Sequence, residues 1–243
     1  MNGLERREKM VRSDEKIKKA MELAGAELDA SLLAEFADLY TPAVSDAIDN
    51  LKLRPGFMDM GIKPMWPGAR FAGYAATVEF VPSVTFDEKG VQNMLGMFSK
   101  VGRNRAVVMS MSGLNVAAGL GQVTSMMAQR LGCAGGVVDG PVRDLAQVNA
   151  LRFPLFGRGC IPSSVRGRMT LGSLMEPIKC GGVLVNPGDL VFGDISGVVV
   201  VPGNKIKEVL AEANKIISAD LFWQDQLNKG KSPADIEKEV PLP

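Results

Sequence analysis

Residues 132–148, GCAGGVVDGPVRDLAQV, gather the side chains best suited to chemistry. A short apolar run, Gly136-Val137-Val138, leads to Asp139. Gly140-Pro141 turns the chain, and Arg143 and Asp144 follow where a new helical pattern begins. A guanidinium grips a carboxylate through two parallel hydrogen bonds, and an aspartate is a hard oxygen ligand for Mg²⁺ or Mn²⁺. The pair therefore suits an anionic substrate held beside a divalent cation. A second reading of the same residues stays open, with Asp144 capping its helix and Arg143 in a surface ion pair.

The chain contains no histidine. That excludes Ser-His-Asp and Cys-His nucleophiles, His-ligated zinc and imidazole bases. Chemistry falls instead to carboxylates, arginine, lysine, backbone amides, water or a hard metal held by oxygens. Ser163 and Ser164 lack a base and read as loop residues bonded to nearby backbone. Cys133, Cys160 and Cys180 form no CxxC pair, as expected of a reduced, cytoplasmic protein without disulfides. Cys160, two residues from Arg158, could have an activated thiol, but packed cysteines are commoner. Arg158 could line the site. Asp46, near the start of a helix, reads as structural together with Ser45. Met58, Met60, Met126 and Met127 read as core or interface filler.

These residues need a frame that brings strand ends together. Residues 14–37 have helical spacing, and Thr41-Pro42 reads as an N-cap with proline at the first helical position. Strands are expected at 71–81, 105–111, 135–140 and 153–159. Helices are expected at 88–101, 121–132 and 144–151, the second with Val123, Met126, Met127 and Leu131 on its apolar side. Such alternation implies an α/β layered domain, in which ligands collect outside the carboxyl ends of the strands. Arg143 and Asp144 lie at such an end. Residues 181–202 then read as short glycine-punctuated strands in which Asp189 and Asp194 shape turns. A helix over 203–229 and a polar tail over 230–243 complete the chain. With residues 1–40 as a helical N-terminal extension, and no internal repeat or linker, residues 1–243 read as a single domain.

Charge narrows the partners. With 28 basic and 27 acidic residues the formal net charge is +1, which leaves no electrostatic footprint for nucleic acid or an anionic membrane. Apolar runs fall well short of the roughly 20 residues of a membrane span, and the charged N-terminus argues against secretion.

The motifs GVVDGPVRD, FPLFGRGCIP and PGDLVFGD…GVVVVP, taken in order, resemble the family of the regulator of ribonuclease activity A. That family includes the class II 4-hydroxy-4-methyl-2-oxoglutarate / 4-carboxy-4-hydroxy-2-oxoadipate aldolases. The resemblance runs from about Thr41 into the C-terminal helix. It implies a β/β/α-type sandwich assembled as a homotrimer or hexamer, with sites between subunits. It further implies that Arg143 binds the substrate, that Asp144 ligates Mg²⁺ or Mn²⁺, and that a helix opening at Gly121 offers the amides of Val123 and Thr124 to a carboxylate. The aldolases carry an acid where this chain has Gln122. A second acid, from the C-terminal helix of a neighbouring subunit, corresponds best to Asp220, with Glu212 the lesser candidate. The final GD-x-DG motif reads GDISG here, Ser196 replacing an acid.

The expected function is a metal-dependent carbon–carbon lyase on small 2-oxo acids, by retro-aldol cleavage or oxaloacetate decarboxylation through a pyruvate enolate. The alternatives are a non-catalytic regulator that binds an RNA-degrading endonuclease, and a different lyase or hydratase on the same scaffold.

Overall fold

The computed structural model describes residues 28–36, 38–83 and 101–241. Helix α1 spans Ala30–Glu35 and α2 spans Thr41–Asn50. Strands β1 (Lys63–Pro64), β2 (Phe71–Pro82) and β3 (Arg105–Ser110) follow, then α3 (Gln122–Arg130), β4 (Gly135–Asp139), α4 (Leu145–Leu151) and β5 (Leu155–Gly157). Next come β6 (Met169–Leu174), β7 (Ile178–Cys180), β8 (Val183–Val185), β9 (Leu190–Asp194) and β10 (Gly197–Val201). A 3-10 turn, Gly203–Lys205, leads into α5 (Ile206–Asn228), and α6 (Pro233–Glu239) comes last. The helical readings at 88–101 and through most of 14–37 lie outside the described residues.

Strand β2 organises the main sheet, whose order is β1-β5-β4-β3-β2-β9-β10, with β6 also paired to β2. β2 through β5 run parallel, while β9 pairs with β2 and β10 with β9 in antiparallel fashion. The segment between α2 and β2 links the two edges. Gly56 and Met58 bond to Val200 and Val198 of β10, and Lys63 and Pro64 pair with Gly157 and Phe156 of β5. The sheet is thereby nearly closed. Gly56 is needed for this approach, since a Cβ there would lie 2.1 Å from the Val200 carbonyl oxygen.

Alternation along the strands divides the core into layers. Ala106 and Val108 of β3 face one way, with Ala75, Val137, Val191, Val198 and Val200, under the β7–β8 hairpin residues Ile178, Cys180, Val183 and Val185. Val107 and Met109 face the other way, toward Ala128 of α3 and Val148 of α4. Farther along that helical face, Leu190, Phe192, Val199 and Val201 are covered by α2 and α5. Hairpin, main sheet and helices form a β/β/α sandwich with flanking helices, the architecture expected from the sequence.

Three local readings change. Thr41 is the first helical residue rather than the cap, which is Tyr40. The capping acceptor comes instead from β9, where buried Asp194 takes the Thr41 N–H at 2.8 Å and its hydroxyl at 2.7 Å. Asp194 also accepts the Ser196 N–H at 2.8 Å, so it shapes its turn as expected and caps α2 as well. In α3 the buried face is Thr124, Ser125 and Ala128, while Val123 is 64% exposed. Apolar periodicity finds greasy side chains, but close helix–sheet packing here selects small ones. Finally, the polar tail carries α6, capped by Ser232 and docked through fully buried Ile236 and a 2.9 Å bond from Trp223 Nε1 to the Val240 carbonyl. A single apolar residue is too weak a periodic signal to announce a helix.

Asp194 holds three donors that no other group nearby satisfies. Asp194→Ala should therefore cost about 2–3 kcal/mol, the penalty of stranding buried donors. Urea unfolding measures this, and a loss under about 1 kcal/mol would show that water replaces the carboxylate.

Candidate active site

Three loops meet beyond the carboxyl ends of the parallel strands, and backbone bonds tie them together. Gly119 N–H donates to Pro141 O at 2.9 Å, and Arg143 N–H to Leu120 O at 3.0 Å. Val142 donates to Gly159 O at 2.9 Å and accepts from Ile161 at 3.0 Å, while Ala118 donates to Ser163 O at 2.9 Å. The loops after β3, β4 and β5 thus form one irregular platform. It encloses a cleft of about 270 Å³ lined by Gly121, Val123, Thr124, Arg143, Ser164 and Arg166, among others.

Arg143 and Asp144 stand at this cleft, both with roughly two-fifths of their side chains exposed. Asp144 precedes α4 but does not cap it. Its backbone is left-handed, φ 56° and ψ 40°, and its carboxylate turns to the neighbouring helix. There Oδ2 accepts the Gln122 N–H at 3.0 Å and lies 3.6 Å from Arg143 Nε. Aspartate tolerates this backbone region better than most residues, and the arrangement places a negative charge on the positive end of α3. Gly121 makes it possible, because a Cβ there would sit 2.7 Å from Asp144 Oδ2 and 2.8 Å from Arg143 Cγ.

The first i→i−4 bond of α3 is Ser125 N–H to Gly121 O. The Val123 and Thr124 amides precede it and have no such partner within the helix. The Thr124 hydroxyl is occupied by Gly121, accepting its N–H at 2.9 Å. Of the expected site residues, Gly121, Val123, Thr124 and Arg143 line the cleft, and Asp144 and the Gln122 backbone adjoin it. The Gln122 side chain is half-buried and makes no hydrogen bond among the described residues.

Asp220 lies elsewhere, on α5 over β9 and β10, where Tyr40 donates its hydroxyl to it. Glu212 is held by Lys215 and Asn50. Arg158 does not line the cleft. It is ion-paired to Asp139 at 2.5 Å and Asp59 at 3.0 Å, and Asp139 also accepts the Gly181 N–H at 2.7 Å. This network fastens the end of β4 to the hairpin layer, because Asp139 follows the parity of Val137 and points away from the helices. Buried Asp189 closes a turn by accepting from Asn186 at 2.8 Å and Gly203 at 2.9 Å. Cys133 and Cys180 are buried, which pushes both thiols up, Cys133 to about 12, so neither supplies a thiolate. Cys160 is exposed, contrary to the packed environment expected of it. Sequence reasoning missed Ser164 and Arg166 as cleft residues, for the loop after β5 carries no periodic pattern to fix where it folds back.

The donor set is compatible with a hard cation. Asp144 Oδ1 has no protein partner among the described residues, and Mg²⁺ commonly takes one or two carboxylates with water and substrate oxygens completing its shell. No three acids or cysteines cluster among the described residues, so an all-protein cage is not on offer here. Nor is any described helix long and apolar enough to cross a membrane.

A layered α/β domain with an Arg-Asp pair where the parallel strands end has clear relatives. The chain belongs to the RraA-like family, Aldolase/RraA, whose model matches residues 41–200. A protein of Halalkalibacterium halodurans, provisionally named a 4-hydroxy-4-methyl-2-oxoglutarate aldolase, is 33% identical over 193 residues, 79% of this chain and 86% of that protein. An uncharacterized protein from Pseudomonas syringae superposes with a TM-score of 0.80 at 29% identity, over 89% of this chain and 97% of its own. RraAS2 of Streptomyces coelicolor, described as an unusual member of the RNase ES inhibitor RraA protein family, gives 0.73 at 26% identity, over 82% and 98%.

The Tyr40–Asp220 contact has a measurable signature. Desolvation, and then the bond to Asp220, push the Tyr40 hydroxyl up to about 12. Between the ordinary tyrosine value near 10 and about 12, the unfolded chain ionises while the folded one does not. The stability Tyr40 contributes is therefore full below pH 10 and lost as pH rises to about 12. The stability difference between wild type and Tyr40→Phe should shrink over that interval. A difference that stays flat would show the hydroxyl to be unperturbed.

Proposed function

We propose that this protein is a divalent-metal-assisted lyase that releases pyruvate from small 2-oxo acids. The observation that carries the reading is Arg143 and the first-turn amides of α3 lining one cleft, with the half-unpartnered carboxylate of Asp144 at its edge. The aldolase name of the Halalkalibacterium halodurans relative points the same way.

In this reading Arg143 takes the substrate carboxylate through its planar fork, helped by the Val123 and Thr124 amides at the positive end of the helix. Asp144 would hold Mg²⁺ or Mn²⁺, which supplies positive charge to the 2-oxo group while the bond breaks. In oxaloacetate the C3–C4 bond breaks, carbon dioxide leaves, and the electron pair passes into the pyruvate enolate, which takes a proton at C3. In 4-hydroxy-4-methyl-2-oxoglutarate the 4-hydroxyl must also lose its proton as C3–C4 breaks, giving a second pyruvate. Gln122 can orient water for that transfer but cannot accept the proton. We further propose a homotrimer or hexamer, in which Asp220 of one copy reaches the cleft of the next. Exposed Phe57, Met60 and Ile195 are consistent with burial between copies.

A second reading, binding of an RNA-degrading endonuclease without catalysis, is favoured by the inhibitor family named for the Streptomyces coelicolor neighbour. The deciding experiment measures pyruvate release from oxaloacetate and 4-hydroxy-2-oxo acids, with Mg²⁺ or Mn²⁺ and with chelator. Turnover abolished by chelator supports the lyase, and no turnover on any of them rejects it.

Arg143→Lys keeps the charge but loses the fork, so kcat/KM should fall more than tenfold, or at least about 1.4 kcal/mol. A loss within about threefold would mean that Arg143 does not bind the reacting end. The Gln122 argument separates the two reactions. Wild type should decarboxylate oxaloacetate faster than it cleaves 4-hydroxy-4-methyl-2-oxoglutarate, and Gln122→Asp should raise only the cleavage. Equal rates in wild type would show that the proton finds another acceptor.

A further inference from the structure

The cleft holds more positive charge than one carboxylate needs. Its lining includes Arg143 and Arg166 but no acid. Asp144 adjoins Arg143 and offsets that charge alone. Arg166 is exposed, and its side chain has no acid or hydrogen-bond partner among the described residues. The remaining lining is mostly backbone and apolar, with Ala118, Leu120 and Val165 beside Ser164.

Arg166 is carried by an anchored stretch of chain. Val165, just before it, is 4% exposed within the helix-side core, and its carbonyl accepts from Arg168 at 3.0 Å and Met169 at 2.9 Å. On the other side, Ser163 accepts from the Ala118 amide at 2.9 Å, and its hydroxyl donates to Val116 O at 3.0 Å. The same platform that positions Arg143 thus fixes the base of Arg166. Two guanidiniums at fixed bases on one small cleft match a ligand with an anion at each end better than one with a single anion.

We propose that Arg166 binds the distal carboxylate of a dicarboxylic 2-oxo acid and so sets a preference for diacids over monoacids. This inference rests on the 2-oxo acid reading of the cleft. Arg143 fixes the reacting end and Arg166 the far end, which selects substrate length and charge together. Ser164, on the same wall, offers a hydroxyl to the same carboxylate.

The test compares 2-oxoglutarate with 2-oxopentanoate, which has a methyl group in place of the distal carboxylate. Binding to wild type, Arg166→Gln and Arg166→Lys is measured by calorimetry in the presence of Mg²⁺. Wild type should bind the diacid at least tenfold more tightly, Arg166→Gln should reduce that preference to within about threefold, and Arg166→Lys should retain part of it. In turnover, Arg166→Gln should raise KM for 4-hydroxy-4-methyl-2-oxoglutarate about tenfold with kcat little changed, and leave kcat/KM for 4-hydroxy-2-oxopentanoate within twofold. A wild type with no diacid preference, or an Arg166→Gln protein that keeps it, would overturn the proposal, as would equal losses on both substrates. Failure of the lyase reading looks different: no pyruvate forms from any substrate, while the binding preference is still read directly.

Discussion

The carboxylate of Asp144 on the first amide of α3 is the contact around which the site is organised. It joins two elements that follow different strands, since α3 leads out of the loop after β3 and Asp144 out of β4. To reach it, Asp144 adopts a left-handed backbone and gives up capping its own helix. Such a conformation costs roughly 1–2 kcal/mol relative to the ordinary helical region and persists only when its surroundings over-determine it. They do so here: Arg143 N–H is fixed on Leu120 O, Val142 is paired on both sides, and Gly121 leaves no Cβ in the way. The reward is an arginine and an acid held side by side at the open end of a helix.

Strand alternation decides which acid of the VVDGPVRD segment faces the cleft. Asp139 ends β4 on the hairpin side of the sheet and is consumed by Arg158 and the Gly181 amide. The Gly140-Pro141 turn then returns the chain to the helical side, so Arg143 and Asp144 emerge among the loops. One end of one strand therefore fastens the β layer with its first acid and furnishes the site with its second. The near closure of the sheet by residues 56–64 serves the same end, because β5, whose following loop supplies Ser164 and Arg166, would otherwise be a bare edge.

What could be read beforehand follows from where the information sits. The βαβ alternation from β3 to β5, and the Arg-Asp pair at its end, were legible because strand period, helix period and turn residues are local properties. The short strands β1, β6 and β7 escaped notice because two to six residues hold no clear period and their pairing is non-local. Asp144 looked like a cap for the helix that follows it, since sequence reveals adjacency but not which neighbouring helix a side chain turns toward. Arg158 and Arg166 show the same limit from both directions. The first, at the end of a strand, reads as a cleft residue but is bound by two acids, while the second, in a loop without period, lines the cleft.

The lack of histidine gives the site its chemical character. In the described cleft there is no thiol and no imidazole, and its charged groups are two guanidiniums beside one carboxylate. Such a set holds and stabilises negative charge well and moves protons poorly. Carbon–carbon cleavage next to a 2-oxo group makes that same demand, for its difficulty is the electron pair left on carbon rather than a proton to be carried away. Where a reaction also needs a proton accepted, as from a 4-hydroxyl, the acceptor must come from water or from a second chain. In the proposed lyase, Gln122 and Asp220 would mark these two routes. The first meets Asp144 through its backbone N–H, and the second is an acid that its own chain directs to Tyr40 rather than to Arg143. In the proposed lyase, the balance between aldol cleavage and decarboxylation would therefore depend on assembly as much as on fold.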